Sequence, residues 1–221
     1  MCGRFAFFSP VEAVQQAFGV DIEAAAPRYN IAPTQYVNII RLDESGELTP
    51  DSCRWGLVPF WAKDPDIGNR MINARAETIG EKPAYRQAFS RRRCLVLASG
   101  FYEWHTDDSG KWPWFIARKD RAVFGMAGLW ELWEKGEGED LKTCTIVTRP
   151  ATEFMARLHH RMPVIMDSGD IQDWLQPGAA AEKLSSMLLG EVRPELDAWK
   201  VSRRVNNPVN DAPELIERQA D

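Results

Sequence analysis

Apolar and polar residues alternate over many short stretches of the chain, and this period of two predicts a protein built mainly of β-strands. Polar turns rich in Gly and Asp separate neighbouring stretches. We predict strands at Tyr36–Leu42, Glu47–Trp55, Cys94–Ala98, Trp112–Arg118, Val123–Trp133, Leu141–Thr148, Val164–Met166 and Trp199–Ser202. Four of these strands follow one another between residues 94 and 148 with turns between them. Their spacing favours an antiparallel meander that is curled.

Helical periodicity appears only in short stretches. The first begins at Ser9-Pro10, where Ser9 is the expected N-cap and Glu12 completes a capping box, and Gly19 ends it. Further helices are predicted at Lys82–Arg92, Pro150–Leu158, Ser168–Leu175 and Ala179–Leu189. We predict an irregular loop at Arg28–Thr34 and an acidic, Gly-rich turn at Glu134–Asp140.

No linker, low-complexity tract or internal repeat divides the chain, so a single domain over residues 1–221 is expected. The fold class is therefore α+β, a mainly antiparallel, barrel-like curled sheet flanked by short helices. The acidic end of the chain, at residues 217–221, is expected to be disordered.

The chain has 221 residues and a net charge of -5, which argues against a protein that coats nucleic acid by bulk charge. Arginines nevertheless cluster locally at Arg91–Arg93 and Arg203–Arg204, so the net charge does not exclude a local basic groove that binds nucleic acid. The alternative is a scatter of solvated surface charges. The four Cys form no CxxC pair, which disfavours a disulfide framework and a zinc site.

We expect Cys53, Cys94 and Cys144 to be core residues, as suits a reducing compartment. There is no signal-peptide pattern, and no apolar run approaches the roughly 18 residues of a membrane helix. No Gly-rich phosphate loop is present. We therefore expect a cytoplasmic monomer with no metal, no nucleotide cofactor and no membrane partner.

Cys2 follows the initiator Met directly, and a small second residue favours removal of that Met. A chain that begins at Cys2 carries an α-amine and a thiol on adjacent carbons, with reference pKa values of roughly 7.7–8.0 and about 8.5. Such an amine forms a Schiff base with an aldehyde, and the thiol then closes a five-membered thiazolidine. The alternative is an incidental residue on a frayed terminus.

Three further residues carry groups that such chemistry would need. Glu103 lies beyond a buried strand between Tyr102 and Trp104, where a dry pocket raises a carboxyl pKa and suits a general acid. His159 precedes His160 at a predicted helix exit, and Asn73 offers both an amide donor and an acceptor. The alternatives are a carboxylate paired with arginine, a structural His and a turn-capping Asn.

The segment Trp55–Trp61 is unusual because Gly and Pro interrupt a run that contains three large aromatic residues. Such rings are either core plugs or platforms for unstacked bases, where each stack contributes roughly 1–3 kcal/mol. The sequence leaves these two interpretations equally open.

Six short stretches, taken together and in order, resemble the SOS response-associated peptidase (SRAP) family. They are Met1–Phe5, Arg28–Pro33, Trp55–Pro59, Ile72–Thr78, Gly100–Trp104 and His159–Pro163, with Val201–Ser202 and Pro213–Ile216 in addition. The resemblance covers essentially the whole chain, and an ordered set of motifs is far more specific than any one of them.

The resemblance implies a sensor of abasic sites in single-stranded DNA that crosslinks to them through lyase-like Schiff-base chemistry. In this family the terminal Cys, here Cys2, forms a thiazolidine with the ring-opened sugar. Asn73 would orient the sugar, Glu103 would donate protons, and His159 would be the catalytic His. The implied DNA-contacting residues are Arg4, Asn30, Trp55, Pro59, Trp61, Arg75 and Arg161. The family name adds a peptidase activity, which would be self-removal of Met1.

Two other functions are compatible with the same residues. In an N-terminal-nucleophile amidohydrolase or peptidase, Cys2 would attack a carbonyl with its own amine as base. In a plain single-strand DNA-binding module, the aromatic residues and arginines would bind DNA without covalent chemistry.

Overall fold

The computed structural model describes residues 2–24, 26–134, 140–166, 168–192 and 194–219. The strands are β1 Phe5–Phe7, β2 Arg28–Ile31, β3 Tyr36–Leu42, β4 Leu48–Trp55, β5 Asn73–Arg75, β6 Arg93–Ala98, β7 Gly100–Asp107, β8 Gly110–Arg118, β9 Phe124–Trp133, β10 Leu141–Pro150, β11 Arg161–Pro163, β12 Ile165–Met166 and β13 Leu196–Lys200. The α-helices are α1 Val11–Phe18, α2 Arg86–Arg91, α3 Glu153–Ala156, α4 Ile171–Leu175 and α5 Ala181–Leu189. Short 3-10 helices lie at Pro65–Arg70, Ser168–Asp170, Arg203–Asn206 and Pro213–Ile216.

The larger sheet closes on itself. Strands β10, β4, β3, β6 and β9 pair in that order, and β9 pairs back with β10. Strands β5 and β11 add to β10, while β12 adds to β9. The pairings of β10 with β4 and with β5 are parallel, and the other pairings are antiparallel. The curl predicted from the sequence is confirmed, because this sheet is a ring of strands. The predicted four-strand meander between residues 94 and 148 is wrong, because β8 pairs with β7 and β13 in the smaller sheet.

The smaller sheet has the order β13-β8-β7-β1-β2. One face carries Tyr102, Phe115 and Trp199, which the C-terminal segment covers with Val205 and Leu215. Its other face turns toward the ring. There Phe5 packs edge-on against Trp55 of β4, with ring centroids 5.2 Å apart. Two sheets with short helices confirm the α+β class.

The core contains the three internal cysteines, as predicted. Cys53, Cys94 and Cys144 are fully buried and free, on β4, β6 and β10. Burial raises the pKa of the Cys94 thiol well above its usual value, so this group remains a neutral thiol.

Several local predictions are wrong. Helix α1 has Pro10 as its N-cap with no side-chain cap, because Ser9 Oγ instead lies 2.8 Å from Ser99 Oγ. Helix α2 begins at Arg86 rather than Lys82. The predicted loop at Arg28–Thr34 contains strand β2, which pairs with β1.

Two predictions concern segments that lie partly outside the described residues. Of the acidic turn at 134–140, residues 135–139 are outside them. Of the tail predicted to be disordered, residues 220 and 221 are outside them. In the described part of that tail, the backbone N–H of Gln219 donates to the backbone carbonyl of Lys200 at 2.9 Å. The Arg218 guanidinium lies 5.7 Å from the Trp199 ring centroid. Residues 217–219 are therefore held against β13.

No helix within the described ranges is long and apolar enough to cross a membrane.

Candidate active site between the two sheets

Strand β10 gathers the site residues that belong to the ring. Its residue Ile146 is opposite Asn73 on β5, and its residue Pro150 is opposite Arg161 on β11. His159 lies two residues before β11. Two of the strands that pair with β10 therefore position these side chains, since β5 carries Asn73 and β11 follows His159. Glu103 comes from β7 of the smaller sheet, and the site lies where the two sheets face each other.

Cys2 is positioned by the strand that it leads into. Phe5 is opposite Phe101 in the β1–β7 pairing, and this register continues with Tyr102 N–H donating to Arg4 O at 2.9 Å. Cys2 is therefore brought beside Glu103 and is completely buried. Burial raises the pKa of the Cys2 thiol far above its usual value, and the nearby charge of Glu103 adds to the effect. The thiol is thus neutral before reaction.

Asn73 holds the start of the chain. Its Nδ2 donates to the carbonyl oxygen of Cys2 at 2.8 Å. Among the described residues its Oδ1 is buried and accepts no hydrogen bond. A buried acceptor without a donor is costly, and such a group is available to accept from a ligand hydroxyl or amine.

Tyr85 supports Asn73 from behind, and nothing in the sequence suggested this role. Its hydroxyl donates to the backbone carbonyl of Asn73 at 3.2 Å. Burial raises the pKa of the Tyr85 phenol to about 12, so the group stays a donor over the physiological range.

Glu103 and His159 face each other across the sheets, with Glu103 Oε1 4.0 Å from His159 Nδ1. Burial raises the pKa of the Glu103 carboxyl, so it keeps a proton to higher pH than an exposed glutamate. Burial lowers the pKa of His159. Nδ1 of His159 lies 3.0 Å from the Arg161 amide nitrogen and 3.1 Å from the Arg161 carbonyl oxygen, so the Arg161 backbone orients the ring in either neutral tautomer. The pair supplies one acid and one base.

His160 is exposed and stacks on His159, with ring centroids 4.3 Å apart. The charge of His159 lowers the pKa of His160. The third histidine lies near the same segment, because His105 Nδ1 is 3.4 Å from the carbonyl oxygen of Leu158, the residue before His159.

The arginines predicted to contact DNA fall into different environments. Arg75 is exposed. Arg4 is half-buried and donates from Nη1 to Asn30 Oδ1 and to Val205 O, both at 2.7 Å. Arg161 is buried and binds both carboxylate oxygens of Glu77 through Nη1 and Nη2. Only Arg75 of these three therefore offers a largely exposed guanidinium.

Asn30, also predicted to contact DNA, is completely buried. Its Nδ2 donates to three carbonyl oxygens of the C-terminal segment, those of Val205, Asn207 and Asn210, at 3.2, 3.1 and 2.6 Å. Asn30 thus ties that segment to the position of Arg4.

The aromatic segment divides between core and surface. Trp55 is completely buried, and its Nε1 donates to Ile72 O at 2.9 Å. Pro59 is buried, whereas Trp61 is 44% exposed and its neighbour Phe60 is 43% exposed. The sequence did not single out Phe60, although it lies within the same segment.

A glycine contact fixes this segment. Gly56 has a φ of 125°, and a Cβ on it would lie 2.5 Å from the carbonyl oxygen of Gly68. Only glycine permits both this backbone conformation and this approach. The turn therefore sends Trp55 inward while Phe60 and Trp61 stay at the surface.

Within the described ranges, no three His, Cys, Asp or Glu side chains lie close enough together to hold a metal ion.

Comparison with known proteins places this chain in a family. The sequence profile of the SOS response associated peptidase (SRAP) family matches residues 1–208. The abasic site processing proteins YoqW and YoaM of Bacillus subtilis (strain 168) are 42% and 41% identical, over 98% and 99% of this chain and 99% of each relative. The abasic site processing protein HMCES of Xenopus tropicalis is 31% identical over 89% of this chain and 67% of its own length.

Comparison of the fold with solved structures gives similar proteins as well. A crystal structure of a protein from Bacteroides thetaiotaomicron superposes with a TM-score of 0.86 at 25% identity, covering 99% of this chain and 100% of that one. A second, from Bordetella bronchiseptica, superposes with a TM-score of 0.78 over 91% of this chain. Sequence and fold agree, and the chain belongs to the SOS response associated peptidase (SRAP) family.

Proposed function

We propose that this protein senses abasic sites in single-stranded DNA and crosslinks to them through Cys2. The observation that carries the proposal is the hydrogen bond from Asn73 to the Cys2 carbonyl, beside the Glu103–His159 pair. This contact fixes the backbone from which a terminal amine and thiol would both project. Relatives named as abasic site processing proteins support the choice of substrate.

The first step is attack of the Cys2 amine on the aldehyde carbon of the ring-opened sugar. A C–N bond forms, the carbonyl oxygen becomes a hydroxyl, and the resulting carbinolamine then loses this hydroxyl as water. Glu103 is suited to give the departing oxygen its proton, since its pKa is raised by burial. His159 is suited to take the proton from nitrogen, since its pKa is lowered.

The second step closes the ring. The Cys2 sulfur adds to the imine carbon, and the thiol proton passes to the nitrogen. The product is a thiazolidine, so the balance is one aldehyde and one aminothiol giving one ring and one water. Asn73 Oδ1, which has no donor among the described residues, would accept from the sugar hydroxyl or the ring nitrogen. A covalent cap of this kind shields the sugar from strand cleavage.

The reaction requires a free amine on Cys2, and therefore a chain without Met1. Removal of Met1 consumes one water and releases methionine, and the family name favours self-removal as its route. Intact mass of the protein purified from its native host, compared between wild type and Glu103→Gln, tests that route.

We expect the DNA to run from the site along exposed residues of two segments. Arg75 offers a guanidinium for phosphate, and Phe60 and Trp61 offer rings for stacking next to an unpaired base.

The decisive experiment mixes the protein with an oligonucleotide that contains one abasic site and analyses the product on a denaturing gel. Wild type should form a stable crosslink, Cys2→Ala should form none, and Cys2→Ser should form only a labile imine. If Cys2→Ala crosslinks as well as wild type, the proposal is wrong. Turnover of amides without DNA would instead indicate an N-terminal-nucleophile hydrolase. Reversible, salt-dependent binding that ignores the lesion would indicate a plain DNA-binding module.

A further inference from the structure

The sheet face that carries Glu103 continues beyond the reaction centre. On β7, Glu103 and His105 point to the same side because successive side chains alternate. Their partners on β8 are Trp114 and Trp112. Lys200 of β13 is opposite Trp114 and shares this side. Lys200 is therefore two strand spacings from Glu103, or about 10 Å.

Trp112 holds two cations at the end of this face. The Arg203 guanidinium lies 3.8 Å from the centroid of the Trp112 ring, and the Lys200 ammonium lies 4.3 Å from it. Trp112 does not belong to any of the hydrophobic clusters of the described core. Its ring therefore serves as a platform for charged groups rather than as core packing.

The neighbouring turn leaves room for the guanidinium. Gly110 has a φ of 111°, and a Cβ on it would lie 3.2 Å from Arg203 Nη2. In the part of the chain that the structure describes, Arg203 forms no ion pair, and Lys200 has only Asp107, 3.5 Å away. Two like charges are thus held on one ring with incomplete neutralisation.

We propose that Arg203 and Lys200 form a phosphate subsite, which binds a phosphodiester of the DNA strand that flanks the abasic site. A phosphate between the two cations neutralises their repulsion, and Trp112 keeps the guanidinium in place for a bidentate contact. The subsite shares a sheet face with Glu103, so the same strand reaches both. This inference rests on the proposed function and adds to it a fixed path for the DNA.

The test uses oligonucleotides in which one phosphodiester at a time is replaced by an uncharged methylphosphonate. The abasic position carries a tetrahydrofuran analogue without an aldehyde, so that wild-type binding is measured before any chemistry. Arg203→Gln should weaken binding to the unmodified strand by about tenfold, as expected for a charge-assisted contact. It should also reduce the salt dependence by about one phosphate contact.

The phosphate that Arg203 binds can be identified because, at that linkage alone, the effects of methylphosphonate and of Arg203→Gln on the binding free energy should not add. At one linkage, methylphosphonate should weaken wild-type binding at least as much as Arg203→Gln does, because it removes the contacts of both cations. At that linkage it should weaken Arg203→Gln less than it weakens wild type, by the Lys200 contact alone. At every other linkage the two changes should add. Arg121→Gln is the matched control, because Arg121 also lies over a tryptophan, 4.3 Å from the Trp199 ring centroid, but on the opposite face. It should bind as wild type does.

The outcomes separate the two proposals. If wild type forms no crosslink with an aldehyde-bearing strand, the proposed function fails. If wild type crosslinks while Arg203→Gln binds with unchanged affinity, or adds to methylphosphonate at all linkages, the phosphate subsite is disproved.

Discussion

The side-chain amide of Asn73 donates to the backbone carbonyl of Cys2 at 2.8 Å, across 71 positions of sequence. A chain terminus ordinarily frays. Here a residue of the ring sheet holds it, and β7 pairs with the strand that follows. The reactive end of the chain is thereby fixed relative to Glu103 and His159, which belong to other elements.

Asn73→Ala should slow crosslinking by about 100-fold, because a small misplacement of reacting groups has effects of that order. Asn73→Asp should be at least as slow, since a carboxylate would face the Cys2 carbonyl without a donor. Single-turnover crosslinking rates measure both. Tyr85→Phe, which removes only the donor to the Asn73 backbone, should have a smaller effect. Equal rates in Asn73→Ala and wild type would contradict the orienting role.

Arg161→Lys should destabilise the fold by about 2–4 kcal/mol. The guanidinium binds both oxygens of Glu77 and also donates to Thr148 O at 2.7 Å, and a single ammonium cannot make all these contacts. Urea unfolding measures the change. Arg75→Lys is the matched control, because Arg75 is exposed, and it should shift stability by no more than about 0.5 kcal/mol.

Arg75 and Arg161 also show that the sequence did not predict which arginine is exposed and which is buried. Both arginines lie in motifs of the family, and the resemblance gives each the same expectation of contact with DNA. Arg161 is instead buried, and its guanidinium pairs with Glu77, 84 positions away. A partner so distant in sequence leaves no trace in a local pattern.

Most of the longer strands were predictable, because alternation reports a half-buried surface directly. Strand β7, which carries Glu103, and the short strands β1, β2, β5 and β11 were not predicted. The parallel pairings of β10 with β4 and β5 were not, since β10 is far from both in sequence. Those pairings bring Asn73 to the site. The motifs therefore identified the candidate residues, and the long-range pairing decided which of them meet.

Phe60 and Trp61 should each contribute about 1–3 kcal/mol to binding of single-stranded DNA. Both rings are over 40% exposed, so Phe60→Ala and Trp61→Ala should weaken DNA binding with little loss of stability. Trp55→Ala should behave in the opposite way. Its ring is fully buried, and truncation should cost about 3–5 kcal/mol of folding stability. Fluorescence anisotropy and urea unfolding of the three variants separate the two roles.

Glu103→Gln should abolish most crosslinking yet stabilise the fold increasingly as pH rises. Burial raises the pKa of Glu103 above its ordinary 4.5, so ionising it costs folding free energy from about that pH up to the raised pKa. The glutamine variant avoids this cost, so its gain in the free energy of unfolding should grow over that pH range and then stay constant.

Glu77→Gln is the control with the opposite expected sign. The hydrogen bonds from Arg161 lower the pKa of Glu77, so that variant should be less stable than wild type near neutral pH, with the deficit vanishing in acid. Urea unfolding at a series of pH values measures both, and a Glu103→Gln difference that does not change with pH would refute the assignment of Glu103 as a buried acid.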